Sequence, residues 1–583
     1  MNTNLRFKTA VAASTLSLTL IAWGCKDKFL EVPATGSISN AQLSSAAGVN
    51  GLVIAAYAQL NGRSERMASP SNWVWGSIRG GDANKGTDPG DFSDINPIQR
   101  YEALSTQGVI AENYRGLYEG VARCNNALRQ MATPIADLSE ADKKRLTAET
   151  RFLRGHYYFQ LKRNFNNTPY VDESVDYGTG IEKVKNDKDL WPFIEADFKA
   201  AYDNLPETQS QVGRANKWAA ASYLAKTYMF QNKFAEAKAL FDLIIANGKT
   251  SNNKKYGLVP RYADIYRATN DNNEESVFAI QAAANTGSVN NANPEFDLNY
   301  PYNTGPNGPG NCCGFFQPSF ELANSFRTTA TGLPLLDGSY NSAANELKTD
   351  QGVPSKDPFT PDAGPLDPRI DHSIGRRGIP YLDWQDHPGQ DWIRNQPNGG
   401  PYSPKKYTYY RSDRGSLQDN SSWTPGYTAL NFTIIRYADV LLMAAEAEIE
   451  AGSLTKALEY TNMVRMRAAN PAGFVTRTGG TPAANYVIAP YPASQFATKE
   501  AARQAVRFER KLELSGEGHR FYDLVRWGIV EPTINAYLQY ETRRLAAALG
   551  GSVFTKNQDE LLPLPQDQVD LLGADVLKQN PGY

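Results

Sequence analysis

The chain contains little cysteine and little histidine. It has four of each in 583 residues, and no two cysteines have the Cys-x-x-Cys spacing of a structural zinc site. The histidines occur in four unrelated contexts, at His156, His372, His387 and His519. No Gly-x-Ser-x-Gly nucleophile motif is present. These absences argue against a zinc site, and they argue against a hydrolase that uses histidine as its base.

A strong net charge and a long apolar segment are also missing. The formal net charge is −2, and it becomes about −4 without the first 24 residues, which carry two basic and no acidic side chains. Nucleic-acid binding requires clustered basic residues, and this balance provides none. After residue 25, no apolar run reaches the roughly 20 residues that span a bilayer. We therefore expect neither a nucleic-acid partner nor a membrane-spanning helix.

The N-terminus has the pattern of an export signal. Arg6 and Lys8 precede an uncharged apolar run from Thr9 to Ile21, and a glycine stands before Cys25. A charged start, about 7–15 apolar residues and a small residue at the cleavage site are typical of such a signal. We predict that residues 1–24 are a lipoprotein signal peptide and that Cys25 is lipidated. An ordinary secretory signal, in which Cys25 is incidental, is the alternative.

Helical periodicity is concentrated in two blocks, at about residues 111–250 and 434–530. Within them, apolar residues recur at spacings of three and four, which is typical of amphipathic helices. We predict a mainly α-helical protein that forms one domain over residues 25–583. Between the blocks, residues 285–430 have little periodicity but many glycines, prolines and aromatic residues. Since disordered segments are poor in aromatics, we interpret this region as a folded, loop-rich insertion.

The two helical blocks share an internal repeat. The helix that contains Tyr223-Leu224-Ala225 is followed by a turn and then by a second helix with Ala237. The same order recurs 220 residues later, at Met443-Ala444-Ala445 and Ala457. A small residue is needed where two helices approach closely, and stacked helical hairpins of about 34 residues are the tetratricopeptide (TPR) pattern. The repeat predicts a TPR-like scaffold, with generic helix pairing as the alternative.

Five segments form an ordered set of motifs. They are Cys25 to Leu30 (CKDKFL), Glu149 to Tyr158 (ETRFLRGHYY), Arg436 to Glu448 (RYADVLLMAAEAE), Gly518 to Trp527 (GHRFYDLVRW) and the C-terminal Gln579 to Tyr583 (QNPGY). In this order they resemble the motifs of the SusD/RagB family of nutrient-binding outer-membrane lipoproteins. The resemblance covers nearly the whole chain. It departs from the family pattern at Gly155, where alanine is usual.

The resemblance implies a SusD-like α-superhelix and a role in binding. A member of this family is expected to be lipid-anchored in the outer membrane, to face the cell exterior and to capture glycans there. It is also expected to deliver them to a SusC-like TonB-dependent transporter. A peptide or glycopeptide ligand is an alternative within the family. A secreted glycoside hydrolase is a more remote alternative, because its paired carboxylates have no sequence signature.

The candidate glycan contacts are aromatic and charged residues in the two loop-rich segments. An aromatic plane packs against the apolar face of a sugar ring, and arginine or aspartate binds the hydroxyls. The family motifs do not name these residues. From the early segment at Ser71 to Asp94 and from the insertion we select Trp73, Trp75, Arg79, Asp82, Tyr302, Phe316, Trp384 and Trp392.

Other polar clusters receive a structural interpretation. Glu509, Glu513, His519 and Asp523 resemble a metal or acid–base cluster, but we expect a buried ion-pair network, since buried charges must be paired. We predict no cofactor, although a structural cation near Asp88, Asp91 and Asp94 remains an option. The adjacent Cys312 and Cys313 form either a disulfide or two free thiols.

Overall fold

The computed structural model describes residues 40–62, 66–293, 298–310, 312–422, 424 and 426–583. The predicted signal peptide, residues 1–24, and the predicted lipidation site, Cys25, lie outside these ranges. In the described part of the chain, no helix is long and apolar enough to cross a membrane.

The fold is mainly α-helical, as predicted. Its helices of twelve or more residues within the described ranges are α1 (Ala46–Ala58), α2 (Gly108–Ala132), α3 (Glu140–Phe165), α4 (Trp191–Asn204), α5 (Lys217–Phe230), α6 (Phe234–Asn247), α7 (Tyr437–Ala451), α8 (Leu454–Ala468), α9 (Lys499–Glu513) and α10 (Val530–Glu541). Shorter α-helices span Asn40–Leu43, Ile95–Gln99, Phe320–Ser325, Ile370–Ser373, Gln396–Gly399, Arg520–Arg526, Ala546–Leu549 and Gln566–Leu572.

The strands are short and pair only as antiparallel couples. They are β1 (Ala83–Gly86), β2 (Ser276–Ile280), β3 (Phe315–Pro318), β4 (Ile374–Gly375), β5 (Ser403–Pro404) and β6 (Phe432–Arg436). β1 pairs with β3, β2 with β6, and β4 with β5. The pairing of β2 with β6 brings together the two ends of the predicted insertion, since Ile280 lies opposite Phe432.

Side-chain caps explain where several helices begin. Ser139 accepts a hydrogen bond from the Asp142 backbone N–H at the start of α3, and Asn216 does the same for Ala219 at the start of α5. Such caps satisfy backbone donors that have no partner within the helix. At the start of α1, the Ala46 N–H donates to Asp137 Oδ1 at 2.9 Å.

The long helices stack in sequence, each against the next. α2 packs on α3, α3 on α4, α4 on α5 and α5 on α6, and α6 then packs on α7 across the long insertion. α7 in turn packs on α8 and α9. One large hydrophobic core contains residues from both helical blocks. The TPR-like scaffold is therefore continuous in space although the insertion divides it in the sequence.

The repeated alanines lie at buried positions of the two hairpins. Ala237 on α6 and Ala457 on α8 are both fully buried. The turn between α5 and α6 contains Asn232 with a φ of 57°, a left-handed conformation that asparagine tolerates better than most residues. A larger side chain at either alanine has no free space to enter.

A buried network of arginines and carboxylates joins the C-terminal helices to the insertion. Its members are Arg369, Lys406, Arg436, Arg465, Arg467, Glu275, Asp367, Glu509, Glu513 and Glu517. Arg436 donates to Glu275 Oε1 at 2.8 Å, to Glu513 Oε1 at 2.6 Å and to Glu517 Oε2 at 2.8 Å. We call this group the arginine–carboxylate network. It contains five cations and five anions, so its formal charges balance.

The structural interpretation of the acidic motif residues is confirmed. Glu509 accepts from Arg465 at 3.0 Å, and Asp523 accepts from Arg510 Nε at 3.0 Å. Burial alone would raise the pKa of Glu513, but the nearby Arg467, Arg436 and Arg369 outweigh it and lower this pKa to about 2. For His519, burial itself lowers the pKa, to about 3, because it disfavours the charged imidazolium. This imidazole is therefore neutral near pH 7.

Removal of the Glu513 charge should destabilise the protein in a pH-dependent way. Glu513→Gln leaves buried guanidiniums without their anion, and breaking such a pair costs about 3–5 kcal/mol. Because the folded pKa of Glu513 lies below its unfolded value, its contribution is complete above pH 4.5 and is lost as the pH falls toward about 2. Urea denaturation at pH 7 and pH 3 should therefore show a larger deficit at pH 7.

The matched control is Glu459→Gln, which removes the exposed ion pair of Glu459 with Lys456. Exposed pairs contribute about 0–1 kcal/mol, so this variant should unfold like wild type at both pH values. A Glu513→Gln deficit of equal size at pH 7 and pH 3 would show that Glu513 is not held ionised by the network.

Enlargement of the repeated alanines should overpack the hairpins. Ala237→Leu and Ala457→Leu are each expected to lower the free energy of unfolding by about 1–3 kcal/mol, measured by urea denaturation. Ala246 lies on α6 as well but is exposed, so Ala246→Leu provides the control and should change little. Wild-type midpoints in both buried variants would contradict the close helix packing at these alanines.

Candidate functional site

Two loops come together because β1 and β3 pair. Gly86 lies opposite Phe315, and the Thr87 N–H donates to the Gly314 carbonyl at 2.6 Å. The loop that follows β1 is thereby placed beside the loop that precedes β3. The segment 391–395 also joins them, because the Tyr302 N–H donates to the Trp392 carbonyl at 2.8 Å. Three separate parts of the chain thus meet at one surface.

Tyr302 and Arg394 are the central side chains of this surface. Both are accessible to solvent, and the Arg394 guanidinium carbon lies 5.4 Å from the centre of the Tyr302 ring. Arg394 Nη1 donates to Thr87 Oγ1 at 2.9 Å and to Asp91 Oδ2 at 2.5 Å, and Nη2 pairs with Asp88. We call Asp88, Asp91, Tyr302 and Arg394 the Tyr302 surface. Its two carboxylates hold the guanidinium in place beside the ring.

Lys85 supports the loop that follows β1 from inside the protein. Its side chain is buried, and Nζ donates to the carbonyl oxygens of Asp88 at 3.0 Å and Asp91 at 2.6 Å. Burial lowers the pKa of Lys85 to about 8, while the carboxylates of Asp91 and Asp88 act against this shift. The ammonium group therefore fixes the loop backbone through hydrogen bonds.

A satellite aromatic core underlies the Tyr302 loop. It consists of Tyr300, Tyr381, Trp384, Trp392 and Tyr409. The Tyr409 hydroxyl donates to the Pro309 carbonyl at 2.7 Å, and Trp384 Nε1 donates to the Tyr409 carbonyl at 3.2 Å. Trp392 contacts Tyr381 edge to face at 5.5 Å between ring centres. These contacts make the loop a supported element of the fold.

Trp73 and Trp75 are buried, which corrects their selection as candidate glycan contacts. They belong to a π-helix, Trp73–Ile78, whose six residues are all buried. Trp75 is 1% exposed, and its Nε1 donates to the Met67 carbonyl at 2.8 Å. Gly76 allows close packing here, because a Cβ at this position would lie 2.0 Å from the Gly518 carbonyl oxygen. The glycine-rich composition therefore marks a tight backbone contact in the core.

Arg79 and Asp82 are also buried, which corrects their assignment as contacts at the edge of a sugar. The Arg79 guanidinium lies 3.9 Å from the centre of the Phe521 ring and donates to backbone carbonyls near the C-terminus. Asp82 accepts from the Gly516 N–H at 2.9 Å. Burial raises the pKa of Asp82 to about 6, against the lowering effect of that hydrogen bond. Both residues attach the early segment to the C-terminal helices.

The remaining predicted contacts fall into two groups. Phe316 is buried and packs edge to face on Trp73, at 6.1 Å between ring centres. Trp392 is buried, and Trp384, 8% exposed, lies at the margin of the satellite core. These three rings are thus corrected to structural positions. Tyr302 alone among the eight predicted residues keeps a partly exposed side chain.

Arg394 is not among the contacts predicted from the sequence, and Asp88 and Asp91 are predicted only as ligands of an optional cation. In the structure these acids pair with Arg394, and Asp94 does not join them. No group of three potential metal ligands occurs in the described ranges. Cys312 and Cys313, in the loop before β3, form a disulfide. Arg394 follows the predicted contact Trp392 by two residues, so the sequence did point to this segment. Its ion-pair partners, however, lie some 300 residues earlier in the sequence, where local patterns do not reveal the pairing.

The fold and this surface define a class of protein: a TPR-like helical-repeat protein with an accessible surface built from inserted loops. A family model described as "SusD family" matches residues 274–583, which is more than half of the chain. A second, described as "Starch-binding associating with outer membrane", matches residues 82–229. The chain belongs to the SusD family, which confirms the resemblance seen in its motifs.

Individual proteins agree with this assignment. The chain is 24% identical over 544 residues to SusD-like protein P2 of Formosa agariphila. The aligned region covers 90% of this chain and 92% of that protein. A solved laminarin-binding SusD-like protein is 23% identical, with a TM-score of 0.63 over 92% of this chain and all of its own. Surface glycan-binding protein A from Bacteroides thetaiotaomicron, solved with laminarihexaose, is 20% identical, with a TM-score of 0.60 over 92% of this chain and 99% of its own.

Replacement of Trp75 should affect folding. Trp75→Ala is expected to lower the free energy of unfolding by about 3–5 kcal/mol, because it removes a fully buried indole and leaves a cavity. Tyr302→Ala, at a partly exposed ring, should cost clearly less. Urea denaturation of the two variants gives the comparison. A wild-type midpoint for Trp75→Ala would return Trp75 to the candidate ligand contacts.

Proposed function

We propose that this protein is a cell-surface glycan-binding protein that captures oligosaccharides at the Tyr302 surface. The observation that carries the proposal is the accessible Tyr302 ring with Arg394 fixed beside it by Asp88 and Asp91. The descriptions of a starch-binding family match, a laminarin-binding relative and a laminarihexaose complex support a glycan as the ligand class.

The chemistry of the surface suits a sugar ring. One face of a pyranose presents C–H groups, which pack against an aromatic plane, while its hydroxyls project sideways. Arg394 donates hydrogen bonds and the carboxylates of Asp88 and Asp91 accept them, so both directions of hydroxyl bonding are available. Because the ion pairs and the satellite aromatic core already orient these groups, little conformational entropy is lost when a glycan binds.

The same geometry favours binding over hydrolysis. A glycoside hydrolase needs one carboxylic acid that stays protonated and a second carboxylate across the scissile bond. Asp88 and Asp91 instead both pair with the one guanidinium of Arg394. Burial lowers the pKa values of all four histidines to between about 3 and 4, so none is a base tuned near pH 7.

The cellular role that we propose follows from the family. The protein would be held to the exterior of the outer membrane by a lipid on Cys25 and would deliver its glycan to a SusC-like TonB-dependent transporter. Support comes from the signal pattern that ends at Cys25 and from the family description "associating with outer membrane".

Loss of the Tyr302 ring should weaken glycan binding. An aromatic contact at the centre of a site contributes about 2 kcal/mol or more, so Tyr302→Ala should lower affinity about 30-fold. Tyr302→Phe keeps the ring face and should bind nearly as wild type. Isothermal titration with the best ligand from a glycan array, accompanied by thermal melting, provides the measurement.

Tyr177→Ala is the matched control for this experiment. Tyr177 is also a partly exposed tyrosine with an arginine on its face, Arg129 at 4.0 Å, but it lies on another part of the molecule. Its loss should leave affinity unchanged. Full affinity in Tyr302→Ala, or an equal loss in both variants, would remove the Tyr302 surface as the binding site.

The anchor and the partner can be separated with one substitution. Cys25→Ser should release the protein from the membrane fraction of cells that lack the transporter, because no lipid can then be attached. In cells that express the transporter, the same variant should still co-purify with an outer-membrane barrel from mild detergent. Retention in the membrane without the transporter would refute the lipid anchor, and recovery without any barrel would refute the partnership.

A further inference from the structure

A second concave site lies on the helical scaffold and shares no residue with the Tyr302 surface. It is a cleft of about 440 Å³ between α1, the segment before α5 and the segment that leaves β2. We call it the Tyr57 cleft and define it by Ile54, Tyr57, Gln211, Gln281, Asn290 and Asn291. Its volume lies within the range of small-molecule sites, which are about 300–1,000 Å³.

One wall of the Tyr57 cleft is apolar and rigid. Ile54 on α1 is 46% exposed and presents its aliphatic side chain to the cleft. The adjacent Tyr57 is fixed through its hydroxyl, which donates to Glu149 Oε2 at 3.0 Å and accepts from the Ala215 N–H at 2.9 Å. Burial and then the charge of Glu149 hold the pKa of Tyr57 well above its usual value. The ring is therefore a neutral, fixed surface.

The rim of the cleft is rich in side-chain amides. Gln281 is held by the amides of Asn272, at 2.9 and 3.1 Å, and Asn431, at 3.1 Å. Asn291 donates to Thr286 Oγ1 at 2.9 Å. In the described part of the chain, the Asn290 side chain makes no hydrogen bond, so its donor and its acceptor are both available. Amides both donate and accept, as hydroxyl-bearing ligands require.

The described residues that line the cleft offer no free charge. Arg214 is the one charged residue among them, and each of its three guanidinium nitrogens donates a hydrogen bond within the protein. It donates to Glu149 Oε2 at 2.9 Å, to Asn50 Oδ1 at 2.7 Å and to Gln211 Oε1 at 2.5 Å. A phosphate, carboxylate or ammonium group would lose its hydration here without finding a free charge of opposite sign. The ligand that fits is uncharged.

An extended peptide is disfavoured because the nearby backbone donors are occupied. Beyond the end of β2, the Ala282 N–H donates to Asn431 Oδ1 at 2.8 Å and the Ala283 N–H donates to the Asn291 carbonyl at 2.7 Å. A peptide that added a strand at this edge would need these groups. Recognition in the cleft therefore rests on side-chain amides around an apolar wall.

We propose that the Tyr57 cleft is a second binding site, specific for a short uncharged oligosaccharide. The ring faces of such a sugar would pack on Ile54 and Tyr57, and its hydroxyls would bond to the amides of Gln211, Asn290 and Asn291. The two sites together would let one protein hold two glycan chains, or two stretches of one chain.

The test uses full-length mature protein with the Tyr302→Ala substitution, so that the first site is weakened. Isothermal titration with laminarihexaose and with maltohexaose should reveal a remaining site in this background for at least one of them. Addition of Ile54→Glu places an unpaired carboxylate on the apolar wall and should weaken that remaining binding about 30-fold or more. Asn290→Ala should weaken it about fivefold, the effect expected of one hydrogen bond.

Leu243→Glu is the control, since Leu243 is 45% exposed on α6 and is not part of either site; it should leave binding unchanged. The proposal is overturned if the Tyr302→Ala protein binds neither hexasaccharide, or if Ile54→Glu leaves the remaining binding intact. If Tyr302→Ala changes nothing and Ile54→Glu removes all binding, the cleft is supported and the Tyr302 surface fails instead. Thermal melting of each variant confirms that the fold is retained.

Discussion

The arginine–carboxylate network is the interaction on which the rest of the structure depends. Arg436 lies where β6 passes into α7. Of the acids that it binds, Glu275 precedes β2, Glu513 ends α9 and Glu517 follows α9. Arg369 brings the insertion to the same point through Glu513, at 2.9 Å. Buried charges are costly unless they are paired, so each of these segments must supply its own member of the network in the folded protein. The network therefore fixes how the helical scaffold, the insertion and the C-terminal helices are arranged.

That arrangement explains why the loop surface is well supported. The early segment packs against the turn after α9, where the Asp82 carboxylate accepts from the Gly516 N–H. β1 lies within this segment and pairs with β3, and that pairing positions the Tyr302 loop. The position of one exposed tyrosine is thus determined by buried contacts several steps away. A rigid scaffold that carries adjustable loops is a common arrangement for binding sites.

Sequence periodicity predicted the helical scaffold well, because amphipathic spacing directly reports which helix face is buried. The repeat of Ala237 and Ala457 located both hairpins, and the acidic motif at Glu509 and Glu513 predicted buried ion pairs at these residues. The candidate site was predicted poorly. Trp75 lies among glycines, a composition shared by exposed loops and by tight backbone packing, and local sequence does not distinguish them. The pairing of Arg394 with Asp91 depends on the tertiary fold, which periodicity does not encode.

The antiparallel pairing of β2 with β6 has an evolutionary consequence. It makes the insertion leave the scaffold and return to it at one place, and within the insertion Arg369 and Lys406 are held by Glu513 and Glu517. The entropy cost of closing a loop rises slowly with its length, by roughly 0.6 kcal/mol for each doubling. Lengthening of the exposed loops between these buried contacts is therefore thermodynamically inexpensive. A change of ligand preference can thus be made in these loops without a change in the helices.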